Sequence, residues 1–514
     1  ITKGGGSLYD YTRMIVLDDG SQYQNPNPMP YYAADGVLRA GDTVTGLTGV
    51  LDQGRINSST SSTASTWVFP NVHYRLHPTT APTFQTTPRP TEAPAVGGSI
   101  KVASANVLNY FPTLDQTPYP SGSPYNSSNT PRGADNAAEF TRQQDKLIAE
   151  LYAMNADVYG LMEIESWDGA AGGIGAPQAL VNALNAYIAL QGGTDTYAAI
   201  ADPGSGYFDP SEGGDYIQVA LIYKTQTVTP ISGALSSNDT IFSRSPFAQL
   251  FKENATNDQF IVVVNHLKSK SSCPTDPTDP NSDQGDGQGC WNALRVQQAQ
   301  TLLTFINTTL VPIDPDVLII GDMNSYGAED PITTLINGGM VNQVAAHVPE
   351  ADRYSYVFDG TAGYLDHALT TPSFSSQITD VAFFHINADE PVVIDYNLEF
   401  KGGSLTPDFY QPHMYRASDH DPVLIGLDLN TAPVASDDSI TTDEDTAYDG
   451  QLLATDINPS DALTFAKASD PSHGTVIVAN DGAFTYTPAA SYYGTDSFTF
   501  AVSDGNGGSD TGTV

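Results

Sequence analysis

The chain has 514 residues, enough for about three domains at ~150 residues each, and its 20 Lys+Arg against 59 Asp+Glu leave a formal net charge of −39. Charged residues make up only 15% and hydrophobic ones 40%, which excludes a charge-dense disordered tail and supplies material for real cores. No run of ~18 apolar residues is present, which excludes a transmembrane helix, and so acidic a surface repels phosphate backbones and anionic membranes unless local cations or metal ions intervene. Solubility in salty surroundings is the plain reading of the charge. The chain opens at Ile1 without Met and without a secretory signal, as a processed or trimmed form does.

Residues 1–85 are predicted to be all-β, with short alternating runs over 13–17 and 43–51 between Gly, Asn and Pro clusters, consistent with a small barrel. The stretch 79–98 is dense in Pro and Thr, and 86–98 is taken as a semi-rigid linker. Residues 99–429 change texture to one large α/β domain. Strands are expected over 100–106, 157–162, 217–223, 260–265, 317–320 and 423–427, and helices over 139–154, 179–190 and 293–309. These strands are apolar throughout, so their sheets should be covered on both faces. Residues 430–514 are rich in Thr, Ser, Asp and Gly, with strands near 463–467, 474–478 and 497–502. They read as an Ig-like or cadherin-like β-sandwich whose last residues, 511–514, look like mid-strand.

Polar residues repeatedly close the apolar strands of the α/β domain. Asn106, Glu163, Asn265-His266 and Gly321-Asp322-Met323-Asn324 follow strands, Asp366 follows Tyr364-Leu365, and Ser418-Asp419-His420-Asp421 precedes the last strand. Ligands in open α/β sheets bind at strand ends, so these groups are candidates for one cleft. Carboxylates are hard oxygen ligands suited to Mg²⁺, Mn²⁺ or Ca²⁺, histidines move protons near neutral pH, and amides orient a nucleophile or donate to developing charge. Together they suit hydrolysis of a phosphate ester. Singly, each has a bland alternative: Gly-Asp-Met-Asn is also a turn sequence and His266 also a core histidine.

In this order the motifs Ser104-Ala105-Asn106, Gly160-Leu161-Met162-Glu163, Asn265-His266, Gly321-Asp322-Met323-Asn324, Leu365-Asp366-His367 and Ser418-Asp419-His420 resemble the endonuclease/exonuclease/phosphatase superfamily, the DNase I-like group. Asn106-Val107-Leu108-Asn109-Tyr110-Phe111, Arg132-Gly133-Ala134-Asp135, Asn265 to Lys270, the loop between the two cysteines and Tyr354 to Gly360 further resemble its ExeM/NucH-type secreted bacterial nucleases. The resemblance implies a four-layer αββα sandwich, preceded by an OB-like barrel, with divalent-metal dependence and nucleic acid as substrate. It assigns Glu163 as the main metal carboxylate, with Asn106 beside it and Asp419 nearby as a metal or polarising group. Asp322 and Asn324 would orient the attacking water. His420, held by Asp366, would be the base-side histidine, and His266 the second proton-transfer group.

Arg244 is matched to a phosphate-contacting arginine, an even choice against an ordinary surface residue. Lys268 and Lys270, flanking His266 in a chain short of cations, are assigned to substrate phosphate. In DNase-like relatives a further acid stands near the strand over 217–223, and Asp215 is a doubtful substitute. Cys273 and Cys290, alone in a polar loop, point to a disulfide over idle thiols, hence an oxidising, extracellular compartment. Asp276, Asp279, Asp283 and Asp286 in that loop, and Asp443, Glu444, Asp445 and Asp456 near the end, are candidate Ca²⁺ ligands, with solvation the plainer reading of the loop. Tyr9, Tyr11, Tyr23, Tyr31 and Tyr32 offer stacking faces in the N-terminal module without accompanying positive charge. No obligate protein partner is indicated. The expected function is an extracellular nuclease of low sequence specificity, DNA first and RNA second, endonuclease ahead of exonuclease. Its rivals are a phosphodiesterase or phosphatase of the same superfamily acting on another phosphate ester, and a non-enzymatic adhesin.

Overall fold

The computed structural model of the chain describes residues 15–18, 38–54, 73–116, 119, 123–126, 128–166, 175–203, 216–237, 239–358, 361–398, 409–430, 432–456, 458, 461–505 and 508–514. The readings on residues 13–14, on the five N-terminal tyrosines, on Asp215 and on Asp359-Gly360 lie outside the described residues.

At the N-terminal end β1 (Val16–Leu17) runs parallel to β4 (His73–Pro78), β3 (Gly49–Gly54) pairs antiparallel with β4, and β2 (Thr43–Val44) pairs with β5 (Phe84–Gln85). The single strand expected over 43–51 is split because Gly46 turns the chain at φ 70°. Among the described residues these strands form two separate small sheets and not a closed barrel.

The α/β part supplies, in order, β6 (Ile100–Tyr110), α1 (Ala137–Met154), β7 (Val158–Glu165), α2 (Ala176–Leu190), β8 (Tyr197–Ala199), β9 (Ile217–Lys224), β10 (Val228–Ser236), β11 (Phe247–Glu253) and β12 (Gln259–His266). There follow α3 (Asn292–Phe305), β13 (Val317–Asp322), α4 (Asp330–Asn337), β14 (Val341–Asn342), α5 (Gln343–His347), β15 (Tyr356–Phe358), β16 (Thr361–Gly363), β17 (Asp366–Thr370), β18 (Ile378–Phe383) and β19 (Val423–Leu427). One six-stranded sheet has the order β18-β19-β6-β7-β9-β8 and the other β10-β11-β12-β13-β17-β14.

Side-chain alternation along these strands builds four layers. Ala103, Ala105, Tyr159 and Leu161 face outward onto Leu147 and Leu151 of α1 and Leu180 and Leu184 of α2. Their neighbours Val102 and Val158 face inward against Val262, Val264, Leu318 and Ile320 of the second sheet. The far face of that sheet, with Ile261, Val263, Val317 and Ile319, packs on Leu302 and Phe305 of α3 and Ile332 and Leu335 of α4. Both faces of the central strands β6, β7, β12 and β13 are dry, which is why these sequence runs are apolar without a polar alternate. Each such Val, Leu or Ile contributes about 1.5–3 kcal/mol relative to exposure. Gly160 sits where the two sheets meet: a Cβ there would stand 2.6 Å from Ile320 Cδ1 and 2.7 Å from Val264 Cγ2.

Local signals set the helix ends. The Asn136 side chain accepts from the backbone N–H groups of Ala138 and Glu139, and Asn155 closes α1 in the left-handed conformation at φ 45°. Helix α3 passes into a π-helical turn over Ile306–Leu310, which together cover the helix expected over 293–309. Strands β10, β11, β17 and β18 were not legible in the sequence. Edge strand β10 carries Pro230 and Gly233 and changes register between Ile231 and Leu235, and β17 opens on the polar pair Asp366-His367.

After residue 429 the strands Tyr448–Gln451, Gly474–Val478 and Ala483–Pro488 form one sheet and Thr464–Lys467, Thr499–Ser503 and Ser509–Thr513 another, around Phe465, Val476, Phe484, Phe500 and Val502. Among the described residues no helix is long and apolar enough to cross a membrane.

Candidate active site

Strand register assembles the first half of the cleft. In parallel β12 and β13, His266 stands opposite Asp322, and in antiparallel β13 and β17, Asp322 stands opposite Asp366. Three chemically active residues far apart in sequence thus form a row across three neighbouring strands. Close approach of β13 to β12 needs Gly321, at φ 127°, since a Cβ there would lie 2.0 Å from the Asn265 carbonyl oxygen. His266 Nε2 is 3.5 Å from Asp322 Oδ2. Asn324, at φ 47°, donates its backbone N–H to Asp322 Oδ1 at 2.7 Å and its side-chain amide to the Leu267 carbonyl at 3.1 Å.

The other sheet supplies Asn106 and Glu163. Asn106 pairs in register with Met162, and the register of β7 against β9 slips between Met162 and Ile164. Glu163 occupies that bulge at φ 60°, a conformation that costs a non-glycine residue of order 1–3 kcal/mol and turns its side chain out of the sheet's alternation. Asn106 is buried and its Oδ1 accepts the Leu108 N–H at 2.9 Å.

The turn before β19 brings in Asp419 and His420. His420 Nδ1 bonds Asp366 Oδ2 at 2.7 Å, and Ser355 Oγ donates to the same oxygen at 2.7 Å while accepting the Leu365 N–H at 3.1 Å. The Tyr356 ring centroid lies 4.7 Å from that of His420. Asp366 therefore fixes the imidazole orientation and leaves Nε2 for a reacting oxygen. The sequence motif that contains Ser355 and Tyr356 assigns neither of them a role. Their part depends on the fold of the β15–β16 hairpin against the cleft.

Electrostatics separates the two histidines. Burial works against protonation of His420, but the charge and hydrogen bond of Asp366, with Asp419 and Asp322, hold its pKa well above the ordinary value. Burial pushes His266 well below, and the nearby charges of Arg244, His420 and Arg132 act in the same direction. Burial, then the charge of Asp419, raises the Glu163 carboxyl, while burial lifts Asp322 to about 7. Asp366, Asp322 and Glu163 thus crowd one low-dielectric cleft with Asp419.

The three cations assigned to phosphate each have partners within the protein. Arg244 is buried and donates Nε to the His266 carbonyl at 3.2 Å and an Nη to the Leu267 carbonyl at 2.6 Å, so it braces the end of β12. Lys270 Nζ reaches both carboxylate oxygens of Glu329 at 2.5 Å and the Gln288 carbonyl at 3.0 Å, so its charge is met within the protein. Lys268 Nζ lies 5.0 Å from the Trp291 ring centroid. Arg132, unassigned from sequence, is exposed, and its charge acts on both His266 and Tyr125.

Cys273 and Cys290 are joined by a disulfide, with Cα atoms 5.4 Å apart. The acids of their loop are turn formers: Asp276, Asp279, Asp283 and Asp286 each accept through Oδ1 from the backbone N–H two residues ahead. Their regular spacing is a chain of Asx turns. Near the end, Asp445 Oδ1 accepts from Ser491 N. Asp456, Asp461 and Asp504 are the acid or histidine trio whose donor atoms approach within 4.8 Å among the described residues.

A further buried carboxyl, on α1, is tied to the site through Asn387. Glu150 of α1 accepts from the Asn387 side chain at 3.0 Å, and burial lifts it to about 8. The folded protein therefore binds a proton there that the unfolded chain, near 4.5, releases. Stability from this group is complete below pH ~4.5 and is lost as pH rises through ~8. The thermal midpoint should fall between pH 5 and 9, and Glu150→Gln should flatten that slope. An unchanged slope would locate the pH dependence elsewhere.

Residues 103–420 match the Endonuclease/Exonuclease/phosphatase family. The chain belongs to that family. Residues 430–514 match the bacterial Ig domain. Family members are hydrolases of phosphate esters and generally use divalent metals. Among solved structures, the catalytic domain of human Nocturnin with bound sulfate is 14% identical, covering 64% of this chain and 95% of its own at a TM-score of 0.37. The mannosyl-6-phosphatase of Bacteroides thetaiotaomicron is 13% identical, with coverages of 64% and 99% and a TM-score of 0.36. TDP2 of D. rerio, complexed with a single-strand DNA product, is 13% identical, with coverages of 63% and 97% and a TM-score of 0.36. No curated protein matches the chain.

Proposed function

We propose that this family member is a secreted nuclease of the ExeM/NucH type, dependent on a divalent metal and cleaving phosphodiester bonds of DNA, and secondarily RNA, with low sequence specificity. The observation that carries the reading is the row His266, Asp322, Asp366 with His420 docked on its end, facing Glu163 and Asp419 across the cleft. The donor set fits a hard cation: the Glu163 carboxylate, raised by burial and then by the charge of Asp419, with Asp419 itself and the Asn106 side chain beside them. Mg²⁺ is commonly held by one or two carboxylates with water completing its shell, and Mn²⁺ is the alternative. Bound by Glu163 and Asp419 with Asn106, the ion would supply positive charge to the phosphoryl group and acidify a coordinated water.

The protein's own groups divide the proton work. His266, at the end of β12 beside Asp322, and His420, oriented by Asp366, are the two proton-transfer groups on either side of the phosphorus, His420 on the base side. Asp322 and Asn324, tied to each other and to the His266 strand end, orient the groups around the attacked phosphorus. Secretion is supported by the disulfide.

The test incubates supercoiled plasmid, RNA and a sugar phosphate with Mg²⁺ and with chelator. Metal-dependent nicking of plasmid supports the reading and an endonucleolytic mode. Release of phosphate from the sugar ester alone would favour the phosphatase alternative, and inertness toward all three would favour the adhesin.

The cation placement also sets a salt response. Each phosphate neutralised by protein adds a slope of roughly −0.9 to the salt dependence of duplex binding. For the Glu163→Gln protein at constant metal, Lys268→Gln should flatten the slope by about one such unit. Lys270→Gln should leave it unchanged, because Glu329 already meets that charge. A larger effect at Lys270 would show that the Glu329 pair opens for DNA.

A further inference from the structure

The loop after β18 grips the turn that carries Asp419 and His420. The Asn387 side chain spans it: Oδ1 accepts from Ala417 N at 2.9 Å, and Nδ2 donates to the His420 carbonyl at 2.8 Å. The backbone N–H groups of Ile386, Asn387 and Ala388 converge on Asp421 Oδ1 at 3.0, 2.7 and 3.0 Å. Asp421 in turn donates its N–H to the Ser355 carbonyl at 2.7 Å, and Ser355 holds Asp366. The turn is therefore fixed from both sides, one hand on the histidine's carbonyl and the other on its carboxylate partner.

Three residues beyond Asn387, the same loop is locked by a buried charge cluster from another part of the chain. Glu390, with its side chain 1% exposed, accepts from Arg39 Nη1 at 3.2 Å and from Arg89 Nε and Nη2 at 2.8 and 2.7 Å. Ala40 N donates to the Asp389 carbonyl at 3.0 Å, and Glu390 N to the Asn387 carbonyl at 3.1 Å. Arg416 Nη1 closes the loop on itself through the carbonyls of Asn387 at 3.0 Å and Glu390 at 3.3 Å. Arg39 and Arg89 lie upstream of both catalytic sheets, in stretches read from sequence as a separate module and a linker. Arg39 also donates to the Thr87 carbonyl, which joins the two stretches.

We infer that Asn387 is a positioning residue for Asp419 and His420, and that Arg39 and Arg89, through Glu390, make the N-terminal stretch part of that bracket. The bracket acts on orientation, not on substrate contact, so its loss falls on turnover and spares binding. The inference rests on the reading of His420 and Asp419 as site residues.

The experiment uses the full chain and two variants, Asn387→Ala and the pair Arg39→Met with Arg89→Met. Plasmid nicking and hydrolysis of bis(p-nitrophenyl) phosphate are measured with Mg²⁺, together with the folded fraction and the NMR signal of the His420 ring proton shared with Asp366. Each variant should lower kcat at least tenfold with KM within twofold, and move or broaden the ring-proton signal. Combining the changes should cost no more than Asn387→Ala alone, since both act through one bracket. Should Asn387→Ala fail to fold, the arginine pair, of which the Arg89 side chain is 18% exposed, carries the test. Full kcat in folded variants with an unaltered ring-proton signal would overturn the inference, as would losses that multiply on combination. Should the wild type hydrolyse neither substrate, the proposed activity falls, and the ring-proton signal alone decides the bracket: perturbed supports it, unperturbed overturns it.

Discussion

Glu163→Gln should lower kcat by at least ~10³-fold. The substitution keeps the volume and one carbonyl oxygen but removes the anionic donor that sits on the β7 bulge beside Asp419. Metal-borne charge stabilisation of a phosphoryl transition state is worth several kcal/mol, and about 1.4 kcal/mol corresponds to each tenfold in rate. Removing a buried carboxylate from a repulsive pair relieves the folded protein, so the thermal midpoint should hold or rise without metal while added Mg²⁺ stabilises the variant less than the wild type. The checks are single-substrate kinetics over a Mg²⁺ series and melting with and without the ion. Turnover within a few-fold of wild type at limiting Mg²⁺ would remove Glu163 from the site.

His420→Ala and His266→Ala should each cost at least ~10²-fold in kcat, the scale of a positioned proton-transfer group. Asp366→Asn should approach the loss of His420→Ala, because it removes the charge and the 2.7 Å carboxylate hydrogen bond that orient the imidazole. The double variant Asp366→Asn, His420→Ala should then be no worse than His420→Ala alone, as expected of groups acting as a unit. The pair His266→Ala, His420→Ala should cost more than either, since the two rings have separate partners. Steady-state kinetics on plasmid and on a chromogenic phosphodiester decides between these patterns. Near-wild-type activity in both single histidine variants would discard the two-histidine mechanism.

The amino-acid sequence by itself determined the layered α/β core and the identity of the groups that line its cleft. Apolar runs such as 260–264 and 317–320 had one solution, strands buried on both faces, and the polar residues that end them had to emerge at one edge of the sheets. Motif order carried the family because His266, Asp322 and Asp366 sit at strand ends and Asn106 and Glu163 at register breaks within β6 and β7. The sequence was silent wherever local preference was overridden. Strand β10 holds Pro and Gly because it is an irregular edge, and Glu163 sits in a left-handed bulge that no propensity announces.

Only the tertiary structure decided how the charges are used. Arg244, Lys268 and Lys270 are equal as cations in a list of residues, yet one braces backbone carbonyls, one lies over Trp291 and one is neutralised by Glu329. The acids of the Cys273–Cys290 loop, read from sequence as more plainly solvated than metal-binding, are used as Asx-turn acceptors. The opposite shifts of His266 and His420, identical side chains at strand ends, come from burial beside Arg244 in one case and from the Asp366 hydrogen bond in the other. Partners hundreds of residues apart, as in Arg39 with Glu390, are set by chain path through space, and electrostatic energies depend on that distance and on burial far more than on residue type.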